Sequence, residues 1–300
     1  MIDSYEPRVG AQILIHAPEG DVGRLTTQAA AVAVRSLFES DIPSTLLRVV
    51  VVDNGSTHLT FHEWLQEKVY PNPQVRVVRI ECTSFSRGRN VGYRRLLEWD
   101  EYPWDIALEF DVDNIFPKVW FEPLRRYLAT HPQVGLLSPG TVMSDHWEPC
   151  EVPTAVIDYE TMHYDEMRRR VNKVCAICRA AFGGKRGVVR HPPVLKRRVC
   201  LEDIGLYDEG YEGGGWEDWD EVMRAHKGGW LTRTCLDSFV FHWTAWSHVL
   251  NNGWVGENPV RLYQRNQRRF FSKFPDSHDF YREYLRNRGQ LYHPSARLEI

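Results

Sequence analysis

Arg48-Val49-Val50-Val51-Val52-Asp53-Asn54-Gly55-Ser56-Thr57 is the stretch from which the rest of the chain can be read. Four consecutive valines leave no alternate polar position, so the strand they form is apolar on both faces. Such a strand belongs inside a sheet covered by helices on each side, and this one runs straight into a carboxylate and a turn. In open sheets of that kind, ligands sit beyond the carboxyl ends of the strands, which places Asp53 beside the expected crevice. Its carboxylate can accept a hydrogen bond from a ligand N–H. Equally, Asp53-Asn54-Gly55 can serve only as a turn.

Working outward, Gln12–His16, Val75–Ile80, Ile106–Phe110 and Val134–Leu137 read as further strands. Leu25–Leu37, Phe61–Val69, Ser86–Leu97 and Val119–Thr130 read as helices, the third opened by a serine cap. Alternation of this sort implies the α/β class: a Rossmann-like mixed, mainly parallel sheet flanked by helices. The second half is less regular. It predicts a helix near Tyr159–Lys173, a strand at Cys175–Phe182 and a basic loop over Lys185–Arg198 that carries Pro192 and Pro193. Beyond the loop come helices at Val199–Ile204 and from about Trp216 to Lys227, and short strands at Leu231–Thr234 and Phe239–His242. Helices at Pro259–Phe274 and Phe280–Asn287 close the chain. With no internal repeat and no linker, residues 1–245 read as one domain with halves 1–138 and 139–245. Residues 246–300 then form a helical extension packed on that domain.

Hydrophobic and charged contents of 43% and 26% are those of a globular protein with a sizeable core. A net charge of −3 argues against nucleic acid as a partner. No apolar run approaches the ~20 residues of a membrane span. The opening residues also lack the basic and apolar blocks of a signal peptide. The expectation is a cytoplasmic protein with at most peripheral membrane contact, its six cysteines held as thiols. Cys175-x-x-Cys178, with Cys200 and Cys235, raises a zinc site, but the second pair is widely split and the first fits an apolar strand.

Two further acidic sites join Asp53. Glu109-Phe110-Asp111-Val112-Asp113-Asn114 again ends an apolar strand, where Asp111 and Asp113 can converge on a hard divalent cation such as Mg²⁺ or Mn²⁺. Gly213-Gly214-Gly215-Trp216-Glu217-Asp218-Trp219-Asp220 opens a helix. Acidic residues there suit the helix dipole, yet one of them can also act as general base toward a hydroxyl. Trp216 or Trp219 can stack on a sugar face or simply pack. His242, in Phe241-His242-Trp243, can complete a metal site begun by Asp113 or be structural.

In this order the motifs resemble the GT-A fold glycosyltransferases, especially family 2, over roughly residues 45–245. Asp53-Asn54-Gly55-Ser56-Thr57 resembles the family's D-[DN]-G-S-x-D stretch, with His58 in place of the usual later acid. Ser86-Arg87-Gly88-Arg89-Asn90-Val91-Gly92 resembles A-R-N-x-G, and Asp111-Val112-Asp113 corresponds to D-x-D. Asp208-Glu209 follows Val199–Tyr207 as in G-x-[FY]-D-E, and Glu217-Asp218-Trp219-Asp220 falls on E-D-x-D. The Gly-Gly-Gly-Trp-Glu-Asp run is also similar to the β-1,4-galactosyltransferase and polypeptide GalNAc-transferase groups. The family's P-[TA]-Y-N opening is absent: here the strand runs into His16-Ala17-Pro18-Glu19.

The resemblance implies a Mn²⁺- or Mg²⁺-dependent transfer of a sugar from a nucleoside diphosphate sugar, UDP-sugars foremost, to a saccharide or other hydroxyl-bearing acceptor. Asp53 would contact the base, with Ala17 and Trp216 in the donor site and Arg89 on the nucleotide. Asp111 would hold ribose or a metal-bound water, and Asp113 and His242 would ligate the metal. Asp218 would be the catalytic base, with inversion, and Glu217 would lie near one of the sugars. Two alternatives stay open: a sugar-nucleotide pyrophosphorylase-like enzyme, or a non-catalytic carbohydrate-binding protein. The basic segment Arg179–Arg198 reads as a lid over the diphosphate, as an acceptor surface or as a solvated, mobile loop.

Overall fold

The valine run forms strand β2 (Leu47–Asn54), with β1 (Val9–Ile15) on one side and β3 (Val75–Ile80) on the other, both parallel to it. The structure is a computed structural model of the chain and describes residues 5–81, 84–99, 101–143, 161–184, 186–187, 193–243 and 259–277. Strand β4 (Ile106–Phe110) lies on the other edge of β1, in parallel. Registers of Ile15 opposite Asp53 and Ile13 opposite Phe110 bring the three carboxyl ends to one rim.

Alternate side chains of β2 serve opposite faces, as the two-residue period of a strand requires. Val49 and Val51 pack with Ala30, Ala33 and Leu37 of helix α1 (Asp21–Phe38). Val50 and Val52 pack with Tyr93 and Leu96 of α3 (Phe85–Leu97). Helix α3 comes unusually close to β1: a Cβ on Gly92 would lie 1.9 Å from Gln12 Oε1, and one on Gly88 2.6 Å from Leu14 Cδ1. Those two contacts explain the glycines of the Arg-Gly-Arg-Asn-Val-Gly segment.

The sheet continues beyond β4 in the order β3-β2-β1-β4-β8-β6-β9-β5. Here β5 is Asn114–Ile115, β6 is Val134–Met143, β8 is Val194–Arg197 and β9 is Leu231–His242, while a short β7 (Arg186–Gly187) also pairs with β9. Strand β8 is antiparallel to both its neighbours, and β5 is antiparallel to β9. The remaining helices are α2 (Leu59–Trp64), which runs into a π-helical turn over Leu65–Val69, α4 (Phe121–Thr130), α5 (Tyr164–Phe182), α6 (Arg198–Ile204), α7 (Glu217–Lys227) and α8 (Pro259–Lys273).

Several expectations are corrected. Cys175–Phe182 is the second half of α5, not a strand: Met167, Val171, Val174, Cys178 and Phe182 are buried at three- and four-residue spacing, the helical period. The basic loop contains the interior strand β8, where Lys196 is 0% exposed because its charge meets two buried carboxylates. Leu231–Thr234 and Phe239–His242 are two ends of one strand, with a register irregularity on β6 between Pro139 and Gly140. The cap of α3 is Ser84, whose side chain accepts from Arg87 N, while Ser86 is buried inside the helix. Cys178 is disulfide-bonded, against the thiol expectation. Cys175 and Cys200 are free, with burial pushing both thiols up to about 12, and among the described residues no cysteine belongs to a group of three or more His, Cys, Asp or Glu side chains placed to hold a metal ion. The expected helix at Phe280–Asn287, and residues 185 and 188–192 of the basic segment, lie outside the described residues.

Candidate functional site

Two loops meet at the ends of β1 and β2. The Ala17 N–H donates to Ser56 Oγ at 2.9 Å, and its carbonyl accepts from Thr57 N and His58 N at 2.9 and 3.0 Å. Asp53 Oδ1 accepts from Ser56 N at 2.8 Å across a turn in which Gly55 adopts φ +71°. Its other oxygen lies 3.5 Å from Arg79 Nε. Both Asp53 and Ala17 are buried, so their contacts are those of a braced double loop.

At the end of β4 the chain makes a tight turn. Asp111 N donates to Asn114 Oδ1 at 2.9 Å, and Asn114 N donates back to Asp111 O at 3.2 Å. Asn114 then pairs in register with His242 at the end of β9, and Trp243 N donates to Asp113 O at 3.0 Å. In consequence Asp111, Asp113 and His242 each present one ligand atom, all within 4.8 Å of one another. Among the described residues no other His/Cys/Asp/Glu group of three or more is so arranged. Asp113 Oδ1 is buried 3.2 Å from His242 Nε2 and accepts no well-formed hydrogen bond from a described residue. Leaving a buried carboxylate oxygen so is costly unless a cation meets it. Two carboxylates and one imidazole are a donor set that suits Mn²⁺ or Mg²⁺. Burial, reinforced by the neighbouring charges of Asp113 and Glu109, pushes the Asp111 carboxyl up to about 6 against the pull of Arg89 and His242.

Behind this group stands a buried ionic network. Arg89 lies on α3 with its guanidinium 3.2 Å from Glu109 Oε1, 3.1 Å from Asp111 Oδ1 and 3.8 Å from Glu217 Oε1. Glu109 also accepts from Tyr93, Tyr207, Gln12 and Lys196 at 2.7, 2.9, 3.3 and 3.1 Å. Lys196 reaches on to Glu221 at 2.8 Å, on the same helix as Glu217 and Asp218. The strand with the metal-ligand candidates and the helix with the acidic pair are therefore joined by buried charge on both sides of Glu109. The sequence reading missed Glu109, Lys196 and Glu221. A glutamate inside the apolar strand Ile106–Phe110 was the one available signal, since a buried charge needs a partner.

The glycine run opens α7 in a forced conformation. Gly213, Gly215 and Trp216 have φ of 65°, 102° and 77°, the last a left-handed value that is an outlier for a bulky residue. Trp216 is 1% exposed, with its ring against Phe270, Phe271 and Tyr263. Its indole is packed among these three rings. Glu217 is buried too. Burial first, then the neighbouring Asp218 charge, push its carboxyl up to about 8, with Arg89 pulling the other way. Asp218 is half-buried, its Oδ1 accepting from Trp219 N at 2.8 Å. Asp220, fully buried, is bound by Arg224, Lys273 and Tyr211 and belongs to the scaffold. Asn90 donates to Tyr207 O and accepts from Tyr207 N, both at 2.9 Å, and Glu209 is held by Asn90, Arg94 and Arg87. These contacts tie the motif residues of α3 to the segment before α7.

No family model matches the chain, and no curated protein matches it. Solved structures do. The chain is similar to GalNAc-T7, solved with UDP, GalNAc and Mn²⁺, at 15% identity and a TM-score of 0.58, over 92% of this chain and 52% of that one. It is also similar to the mannosyltransferase PcManGT from Pyrobaculum calidifontis, solved with GDP-Man and Mn²⁺, at 16% identity and a TM-score of 0.53, over 89% of this chain and 70% of that one. The chain thus spans about half the length of the first protein. At these identities the likeness concerns backbone architecture, and it extends over nearly all of the chain. The mixed, mostly parallel sheet flanked by helices matches those architectures: the chain has the GT-A fold.

Proposed function

We propose that this protein is a metal-dependent glycosyltransferase, moving a sugar from a nucleoside diphosphate sugar to an acceptor hydroxyl with inversion. The observation that carries the reading is the convergence of Asp111, Asp113 and His242 at the strand ends of a GT-A sheet. These three would hold Mn²⁺ or Mg²⁺, and the ion, once bound, supplies Lewis-acid charge against the leaving diphosphate. The loops of Ala17 and Asp53 would frame the nucleoside, with Asp53 shaping the loop through Ser56. Arg89, buried among three carboxylates, would act by fixing Asp111 and Glu217 rather than by reaching the nucleotide.

Asp218 is the general base in this reading. The acceptor oxygen attacks the anomeric carbon as its proton passes to the Asp218 carboxylate. The bond from that carbon to the phosphate oxygen breaks, and its electron pair leaves on the nucleoside diphosphate. Glu217, which keeps its proton to about pH 8, can donate a hydrogen bond to a sugar hydroxyl beside it. GalNAc-T7 was solved with UDP and PcManGT with GDP-Man, so shared architecture does not select the base. UDP is favoured by the motif resemblance alone.

The test is release of nucleoside diphosphate from UDP-, GDP- and dTDP-sugars with Mn²⁺, with Mg²⁺ and with chelator. Metal-dependent release from one donor supports the reading, and pyrophosphate chemistry or inert donors overturn it. No described helix is long and apolar enough to cross a membrane. A cytoplasmic location and the Cys178 disulfide, a bond that persists in oxidising compartments, point to opposed readings of where the protein works. Fractionation with thiol trapping decides between them.

A further inference from the structure

Helix α8 is tied to the glycine run more closely than a covering helix needs to be. The Asn266 side chain is 1% exposed, and its Nδ2 donates to Glu212 O at 2.8 Å and to Gly215 O at 3.0 Å. Arg265 pairs with Glu212, and Lys273 reaches Asp220 at 2.6 Å. The Tyr263 ring lies over Gly215, 3.2 Å from where a Cβ would stand, and beside Trp216 at 5.6 Å between centroids. Phe270 and Phe271 hold the same indole at 5.1 and 5.4 Å. A left-handed tryptophan is costly and persists only where its surroundings over-determine it, and such strain gathers at functional sites. Here the strained residue immediately precedes Glu217 and Asp218.

We infer that Asn266 is a positioning residue for the transfer reaction: by gripping both ends of the glycine run it holds Trp216 left-handed and so aims the Glu217–Asp218 turn at the reacting atoms. The inference rests on the proposed glycosyltransferase reading for what the turn does, though not for how it is held. Two backbone carbonyls on one buried amide leave the run no freedom to flatten. Once the grip is lost, a relaxed Trp216 swings the first turn of α7 away from the metal-ligand group. The Ala17–Asp53 loops and the Asp111–Asp113–His242 group make none of these contacts with α8, so donor binding should survive.

Asn266→Ala removes both donors, and Gly215→Ala attacks the same loop from its other side, because φ +102° is closed to alanine. Both variants are compared with the wild type by donor titration calorimetry with Mn²⁺, by steady-state turnover and by amide hydrogen exchange. The expected result is a kcat lower by about 10²-fold with donor Kd within about twofold, the signature of misplaced catalytic groups. Exchange should accelerate at the amides of Gly215–Trp219. A lower Tm with unchanged kcat overturns the inference and leaves Asn266 a packing residue. Parallel loss of donor binding and kcat also overturns it. If Asn266→Ala does not fold, Gly215→Ala decides by the same readings. If the wild type neither binds nor turns over any donor, the glycosyltransferase reading fails. Exchange at Gly215–Trp219 then still tests the grip, and unchanged protection in both variants refutes it.

Discussion

Replacing Glu217 by glutamine should make the protein more stable, and increasingly so as pH rises. The buried carboxyl of Glu217 is pushed from 4.5 up to about 8, chiefly by burial and then by Asp218. In the unfolded chain it loses its proton above about pH 4.5, while the folded chain retains it to about 8. Folding therefore takes up a proton across that window. The stability it contributes is fully present below the unfolded value and is lost as pH rises through the folded value. At pH 7 about 2.5 units separate solvent pH from the unfolded pKa, and at ~1.4 kcal/mol per unit the penalty is about 3 kcal/mol. That is a large share of the 5–15 kcal/mol typical of a domain. Glutamine keeps the shape and does not titrate. Urea unfolding of both proteins in chelator, from pH 4.5 to 8, measures the difference directly, since other titrating groups largely cancel. The variant should match the wild type near pH 4.5 and lead it by about 3 kcal/mol at pH 7. A difference that is flat with pH, or a variant less stable at pH 8, refutes the argument that burial governs this carboxyl.

Asp113→Ala should abolish Mn²⁺-dependent donor binding in titration calorimetry while leaving the far-UV circular dichroism spectrum unchanged. Asp218→Asn should keep donor affinity and lower kcat by about 10²–10⁴-fold, as for loss of a general base; undiminished turnover would remove the assignment. Lys196→Met leaves Glu109 and Glu221 buried without their shared cation, and should cost about 3–5 kcal/mol in urea unfolding.

The first half of the fold was legible because short β-branched or continuously apolar runs mark its strands: the valine run, Val75–Ile80 and Ile106–Phe110 appear where expected. Asp111 and Asp113 were legible as a strand-end pair, and His242 reaches them through the β5–β9 pairing, a long-range event that a linear reading cannot display. Reading failed where burial and charge coincide. Val194–Arg197 looks like a basic loop because Lys196 and Arg197 dominate it, yet Lys196 is interior once Glu109 and Glu221 arrive from distant segments. Cys175–Phe182 is too short an apolar run for periodicity to separate strand from helix. Trp216 drew attention as a flat aromatic beside acidic residues, and its partners Phe270 and Phe271 are more than fifty residues downstream.

Strand β8 lies between β4 and β6, although some eighty residues separate it from β4 in sequence. A cut at the expected boundary between residues 138 and 139 would fall inside β6 and leave β8 on the other fragment. Neither piece could close its half of the sheet: the first would expose the outer edge of β4, and the second would carry β8 without β4 and without the Leu136–Leu137 part of β6 that it pairs with. Such fragments should be inert alone and regain shape only by reassembly, each serving as the template on which the other zips shut. A split at that position would make activity a readout of whether two polypeptides have met.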